Sequence, residues 1–125
     1  MKENDKSRHS KPHILFVCGK NQWRSPTAER IYRNDKRIEV RSAGISGKSK
    51  HPISNGDIEW ATLILVMESG YKSRILGLFR NRSLPAIENL DIPDEYKYMD
   101  DELIDLIEKG VEFHIQRLEN EAPPP

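Results

Sequence analysis

The chain is predicted to be an α/β protein, a three-layer sandwich with a central parallel sheet of about four strands flanked by helices. Two observations carry that prediction. The runs ILFVC at 14–18 and LILVM at 63–67 are continuously apolar, the pattern of strands covered on both faces rather than of a half-wet sheet. Segments with helix-start signals or helical spacing lie between and after them, and alternating strands and helices demand parallel crossovers.

The elements follow in order. After the strand at Ile14 to Cys18, Ser25-Pro26-Thr27-Ala28-Glu29 opens a helix, with Ser25 as the expected cap, Pro26 suited to the first turn and Glu29 placed where the helix favours a negative charge. Ile38 to Ser42 alternates and ends at Ala43-Gly44, a second strand followed by a turn. The stretch GISGKSKHPISNG reads as loop, and a short helix around Asp57 to Ala61 leads into the LILVM strand. Ser69 to Phe79 is expected as a helix with Ile75, Leu76 and Phe79 inward, and Leu84 to Leu90 as a fourth, weaker strand. Asp100 to Leu118 has the clearest helical spacing, through Leu103, Ile107, Val111, His114 or Ile115, and Leu118. Gly110 inside it costs about 1 kcal/mol against Ala and allows a bend.

The length of 125 residues fits one domain, placed at 13–120 between polar or proline-rich tails at 1–12 and 121–125. Charged residues make up 32% and the formal net charge is +0. Binding a long nucleic acid by counterion release, which needs a basic excess, is therefore disfavoured. No apolar run approaches the roughly 20 residues that span a bilayer, and the polar N-terminus does not resemble a signal peptide. The expectation is a cytoplasmic chain with no membrane partner. The single cysteine makes no internal disulfide and no cysteine-rich metal site. No metal and no cofactor are expected.

That cysteine stands where the first strand meets a helix start, the place where open α/β sheets bind ligands. The segment Cys18-Gly19-Lys20-Asn21-Gln22-Trp23-Arg24-Ser25-Pro26 gives Cys, five residues, Arg, Ser and then a helix. A tight loop of this kind turns backbone N–H groups into an anion-binding nest, and the helix N-terminus adds its own donors. Residues Gly19 to Ser25 are the candidate phosphate cradle, with Arg24 as a planar two-pronged clamp. The same field favours the thiolate of Cys18, the form that attacks phosphorus. Ser25 can donate its hydroxyl to the sulfur, and Asn21 tolerates a left-handed backbone. A bare Cys-x5-Arg pair arises often by chance; its position between a buried strand and a helix start, with Ser-Pro next, is what points to function.

The run FVCGKNQWRSPTAE resembles the signature of the low-molecular-weight protein tyrosine phosphatases, with Cys18, Asn21, Arg24, Ser25 and Pro26 at matching positions. Ser42-Ala43-Gly44, LILVMESGYKSRI and LDIPDEYKYMDDELIDLI are similar to later parts of that family, so the resemblance covers nearly everything from Ile14 to Leu118. It implies a metal-independent hydrolase working through a cysteinyl-phosphate, with Cys18 as nucleophile, Arg24 as clamp, Ser25 and Asn21 holding the loop, and an Asp as proton donor. Two residues are candidates for that Asp. Asp91 lies where the strand ends and is slightly preferred; Asp94 fits better by spacing to Tyr96 and the last helix. The other of the two then caps a turn beside Pro93.

The chain also departs from the family. It is shorter between Ser-Ala-Gly and LILVM, in a region that helps wall the family's cleft. Trp23 replaces a second cysteine often found in the loop, which leaves an oxidised Cys18 without a disulfide partner and removes the relay that arsenate reductases of this fold require. Trp23 and Tyr96, with Tyr98, are candidate substrate-wall residues; each could instead pack against the protein. Lys20 faces a second anionic feature of the substrate or solvent. The leading expectation is a tyrosine-phosphatase-like phosphomonoesterase acting on a phosphorylated protein or a small phosphoester. The alternatives are a phosphodiesterase opening small 2′,3′-cyclic nucleotides with the same site, and a phosphate-binding module without turnover.

Overall fold

A computed structural model describes residues 11–121. Of the tails expected at 1–12 and 121–125, residues 1–10 and 122–125 lie outside the described residues, while Glu121 ends the last helix. Four strands, β1 (His13–Cys18), β2 (Glu39–Gly44), β3 (Leu63–Val66) and β4 (Ala86–Asn89), form one parallel sheet in the order β2-β1-β3-β4. Helices α1 (Arg24–Tyr32), α2 (Asn55–Trp60), α3 (Ser69–Leu78) and α4 (Asp101–Glu121) connect and cover it. The four-stranded parallel α/β sandwich is thus the architecture expected from the apolar runs.

Alternation along β1 divides the core. Ile14, Phe16 and Cys18 point to one face, where Ala28 and Tyr32 of α1 and Leu103, Ile107, Val111 and Ile115 of α4 cover them. Leu15 and Val17 point to the other, against Ile58, Ala61, Ile64, Val66, Ile75 and Ile87. Ile14 through Val17 are fully buried, which explains why β1 carries no polar alternation. Gly110 does not break α4, and it has a packing reason: a Cβ there would lie 2.8 Å from Leu90 Cδ2. Along α3 only Ile75 is fully buried, whereas Leu76 is 45% exposed, contrary to the inward face expected for it. That helix covers a narrow strip of sheet, so one residue per turn suffices. No helix among the described residues is long and apolar enough to cross a membrane.

The chain leaves β1 toward β2 on one side and later returns to β3 on the other, so the strand order reverses between β1 and β3. At such a reversal the connections diverge and open a crevice at the carboxyl ends of the strands. Cys18 ends β1 at this point, paired in register with Gly44.

Candidate active site

The loop after Cys18 is built by buried polar contacts. Asn21 adopts φ 56°, a left-handed conformation that Asn accepts more readily than most side chains. It reverses the backbone between strand and helix. The loop is held from outside by the segment after β2: Ile45 N–H donates to Cys18 O and Ser46 N–H to Gly19 O, both at 2.9 Å. Gly44 makes this approach possible, because a Cβ there would lie 2.0 Å from Ser49 Oγ and 3.0 Å from the Asn21 nitrogen. The Ser-Ala-Gly motif is thereby a brace for the cysteine loop.

Ser25 is not the cap of α1. Trp23 occupies the cap position with no side-chain hydrogen bond, and Arg24, Ser25 and Pro26 form the first turn. Ser25 is fully buried and turned into the loop, where a cap would have to face outward along the helix. Its Oγ lies 2.9 Å from Cys18 Sγ, 3.0 Å from Asn21 Oδ1 and 3.4 Å from Ala43 O. A hydroxyl carries one proton, so these contacts are alternatives. Ser25 donates to Asn21 or Ala43 while the sulfur keeps its own proton, and to the sulfur once that proton has gone.

Arg24 is 2% exposed and used from both ends of its guanidinium. Nη1 donates to Ile92 O at 2.7 Å and pairs with Glu68 Oε2 at 2.7 Å. Nε lies 3.6 Å from Asp94 Oδ1, and Nη2 donates to Tyr71 Oη at 3.3 Å. One nitrogen is therefore the anchor, and the Nε–Nη2 edge is offered to the groups around the opening. Burial alone would depress the Arg24 pKa; the hydrogen bond to Glu68 and the neighbouring charges overcome it and hold the group above its ordinary value. The cation is permanent.

The opening is a cleft of about 330 Å³ lined by Cys18, Gly19, Lys20, Gln22, Trp23, Arg24, Tyr71 and Asp94. The structure brings the cysteine loop together in it, while Asn21 and Ser25 stand behind as buried braces. The two aspartates share a neighbouring hollow with Glu68, Ser69 and Pro93, where Asp91 sits in a left-handed turn with φ 57° and its N–H donates to Asn89 Oδ1. Asp94 alone of the two also lines the cleft. The path of the chain puts Asp94, and not Asp91, at the opening: the turn at Asp91 sends Ile92 into the core, and three further residues bring the chain back. Tyr96 does not line the cleft; its ring packs on the core and its hydroxyl donates to Glu102 Oε2 at 3.2 Å. Trp23 is 41% exposed at the mouth rather than packed under the loop.

Tyr71 and Glu68 were not identified from the sequence. Tyr71 Oη would lie 3.0 Å from a Cβ at Gly19, so it overhangs the cradle closely, and a side chain there would push the tyrosine back. Burial pushes the Tyr71 pKa up, and Arg24 opposes this without cancelling it. The hydroxyl stays a donor at neutral pH. Both residues lie at the start of α3, immediately after β3. The only signal available was that position, at the end of the strand flanking the crevice.

A family model described as low molecular weight phosphotyrosine protein phosphatase matches residues 13–63. A protein-arginine-phosphatase of Geobacillus stearothermophilus is 33% identical over 90 aligned positions, covering 53% of this chain and 61% of that relative. The chain thus aligns with less than two thirds of the curated relative. Among solved structures, a low molecular weight protein tyrosine phosphatase from Streptococcus pyogenes superposes with a TM-score of 0.71 at 20% identity, covering 86% of this chain and 93% of the other. The arginine phosphatase YwlE from Geobacillus stearothermophilus superposes with a TM-score of 0.61 at 24% identity over 90% and 99%.

Proposed function

We propose, for a chain that belongs to the low-molecular-weight phosphotyrosine protein phosphatase family, that it is a cysteine-dependent phosphatase removing phosphate from a phosphorylated protein side chain. The observation that carries the reading is the buried chain from Asn21 through Ser25 to Cys18 Sγ, opening beside the Nε–Nη2 edge of Arg24. A merely phosphate-binding loop has no use for a thiol poised on a hydroxyl that can stabilise its anion.

In the first step the Cys18 thiolate attacks phosphorus, the bond to the leaving oxygen breaks, and Asp94 gives that oxygen its proton. The Nε–Nη2 edge of Arg24 holds two equatorial oxygens, and the helix N-terminus offsets their charge. In the second step Asp94 takes a proton from water, the oxygen of that water attacks phosphorus, and sulfur departs as thiolate with Ser25 donating to it. Asp94 suits both steps by position, because it lines the cleft beside Arg24 with its side chain 61% exposed to water. The charges required are supplied by Arg24 and the loop, without a metal.

Phosphotyrosine is the preferred substrate because a phenolate leaves easily and Trp23 can face its ring. A phosphoarginine side chain is the second reading, favoured by the name of the curated relative and by Asp94 and Glu68 beside the clamp. The test is turnover of para-nitrophenyl phosphate, a phosphotyrosine peptide, a phosphoarginine peptide and a 2′,3′-cyclic nucleotide, with chelator present, by wild-type and Cys18→Ser protein. Aryl phosphate turnover lost in Cys18→Ser is expected. Turnover surviving in Cys18→Ser would overturn the mechanism, and selective opening of the cyclic nucleotide would move the substrate.

A further inference from the structure

Beside the cleft runs a second groove of about 420 Å³, whose lining includes Gln22, Trp23, Pro26, Glu29, Lys50 and Tyr98. Gln22 and Trp23 line both cavities, so a ligand held at Cys18 can continue into the groove without leaving the surface. Trp23 and Tyr98 are 41% and 42% exposed, two large aromatic rings set on one groove. Exposing such rings gives up burial that a domain this small could use.

Three lysines along or beside this path are not spent on ion pairs among the described residues. Lys50 lines the groove and Lys20 lines the cleft. Lys48 sits on the turn whose Ser46 and Ser49 bond to Gly19 O. Among the described residues none of the three pairs with a carboxylate, whereas Arg37, Arg41 and Arg82 all do. The groove's own carboxylate, Glu29, accepts from Ser42 at its inner end.

We propose that this groove holds the residues flanking the phosphorylated side chain of an acidic protein segment: a large apolar or aromatic side chain rests against Trp23 and Tyr98, and acidic side chains meet Lys50 and its neighbours. The inference rests on the phosphatase reading for the occupant of the cleft. Geometry sets the path, with the phosphate on Arg24 and the chain leaving past Trp23. The lysines set the sign of the flank, and a rim charge of this kind acts through affinity and on-rate and weakens with salt.

The test reads binding, so it does not depend on turnover. Fluorescein-labelled phosphotyrosine peptides, one with acidic and aromatic flanks and one with Gly and Ser flanks, are titrated by anisotropy against Cys18→Ser protein at low salt. The acidic peptide is expected to bind about tenfold tighter. Adding Lys50→Glu is expected to remove most of that advantage and leave the neutral peptide unchanged, and adding Tyr98→Ala to weaken the acidic peptide about fivefold. Equal affinity for the two peptides, or unchanged affinities in both variants, would overturn the proposal. Displacement of the peptide by a 2′,3′-cyclic nucleotide that Tyr98→Ala abolishes would overturn it too, assigning the groove to a base. Lys50→Glu with Cys18 intact should keep para-nitrophenyl phosphate turnover near wild type, which reports folding. Wild-type protein inert toward that compound would sink the phosphatase reading while the peptide titration still judged the groove.

Discussion

The floor and the rim of the cleft are built by opposite means. On the floor, Cys18, Asn21, Arg24 and Ser25 are at most 7% exposed, and no fully buried side-chain nitrogen or oxygen among the described residues lacks a partner. On the rim, Trp23 is 41% exposed and the Asp94 side chain 61%, and Asp94 meets the floor through a 3.6 Å contact with Arg24 Nε. Buried polar groups in a low dielectric are strong when fully satisfied and costly when one partner is removed. The floor therefore has little freedom in its residues, and the rim has a great deal. In the proposed reaction the floor holds the nucleophile and the clamp, while the rim supplies the proton donor and the surface that meets the substrate.

The largest effect should come from the floor. Arg24→Lys keeps the charge and loses the fork, leaving Ile92 O and Glu68 competing for one ammonium; kcat for para-nitrophenyl phosphate should fall about 10³-fold. Activity within a few-fold of wild type would show that the clamp is not bidentate.

Next in size is the comparison of the two aspartates. Asp94→Asn should lower kcat about 10²-fold, with a smaller loss for substrates whose leaving group needs no proton, and Asp91→Asn should leave kcat nearly unchanged. A pH–rate profile that loses its limb in Asp91→Asn rather than in Asp94→Asn would return the proton donor to the strand end. Tyr71→Phe removes a hydroxyl that accepts from Arg24 Nη2 and donates to Glu68 on the rim side, and a loss of about fivefold in kcat/KM is expected. No change in the steady-state kinetics of that variant would make Tyr71 a packing residue only.

The smallest effect is remote from the cleft. His114 on α4 is buried, with Nδ1 2.9 Å from Arg117 Nη2, and burial followed by that cation depresses its pKa below 6.5, with Glu88 opposing. Its folded state binds a proton less readily than the unfolded chain, so stability is full above about pH 6.5 and falls as pH drops below it. Urea midpoints measured from pH 7.5 to 5 should show this decline, and His114→Gln should flatten it. An unchanged slope would assign the acid sensitivity to other groups.

The two regions also differ in how far they can be read from residues alone. The floor was legible because its chemistry is local: Cys18, Asn21, Arg24 and Ser25 lie within one turn between a continuous apolar strand and a helix start. Even there Ser25 was misassigned as a helix cap, since capping and donation to sulfur both ask for a small hydroxyl at that point in the chain. Asp94 and Tyr71 reach the cleft, and Glu68 reaches Arg24, from two segments far from the cysteine loop, and their placement depends on where β3 and β4 end relative to β1. Leu76 and Tyr96 failed for a related reason. Helical spacing or proximity to a motif does not say how wide a strip of sheet a helix covers, or which side of a loop faces the opening.

Taken by itself, the order of residues determined the parallel α/β architecture, the strands buried on both faces, and a nucleophile loop whose parts are neighbours in the chain. Periodicity and turn chemistry act over a few residues, and those features need no more. The tertiary structure alone decided which aspartate lines the cleft, that Tyr71 overhangs Gly19, that Gly44 lets the next loop brace the first, and that Trp23 faces two connected cavities. Each of these joins segments far apart in sequence, and such contacts exist only once the sheet order and the left-handed turns at Asn21 and Asp91 have set where each chain segment re-emerges.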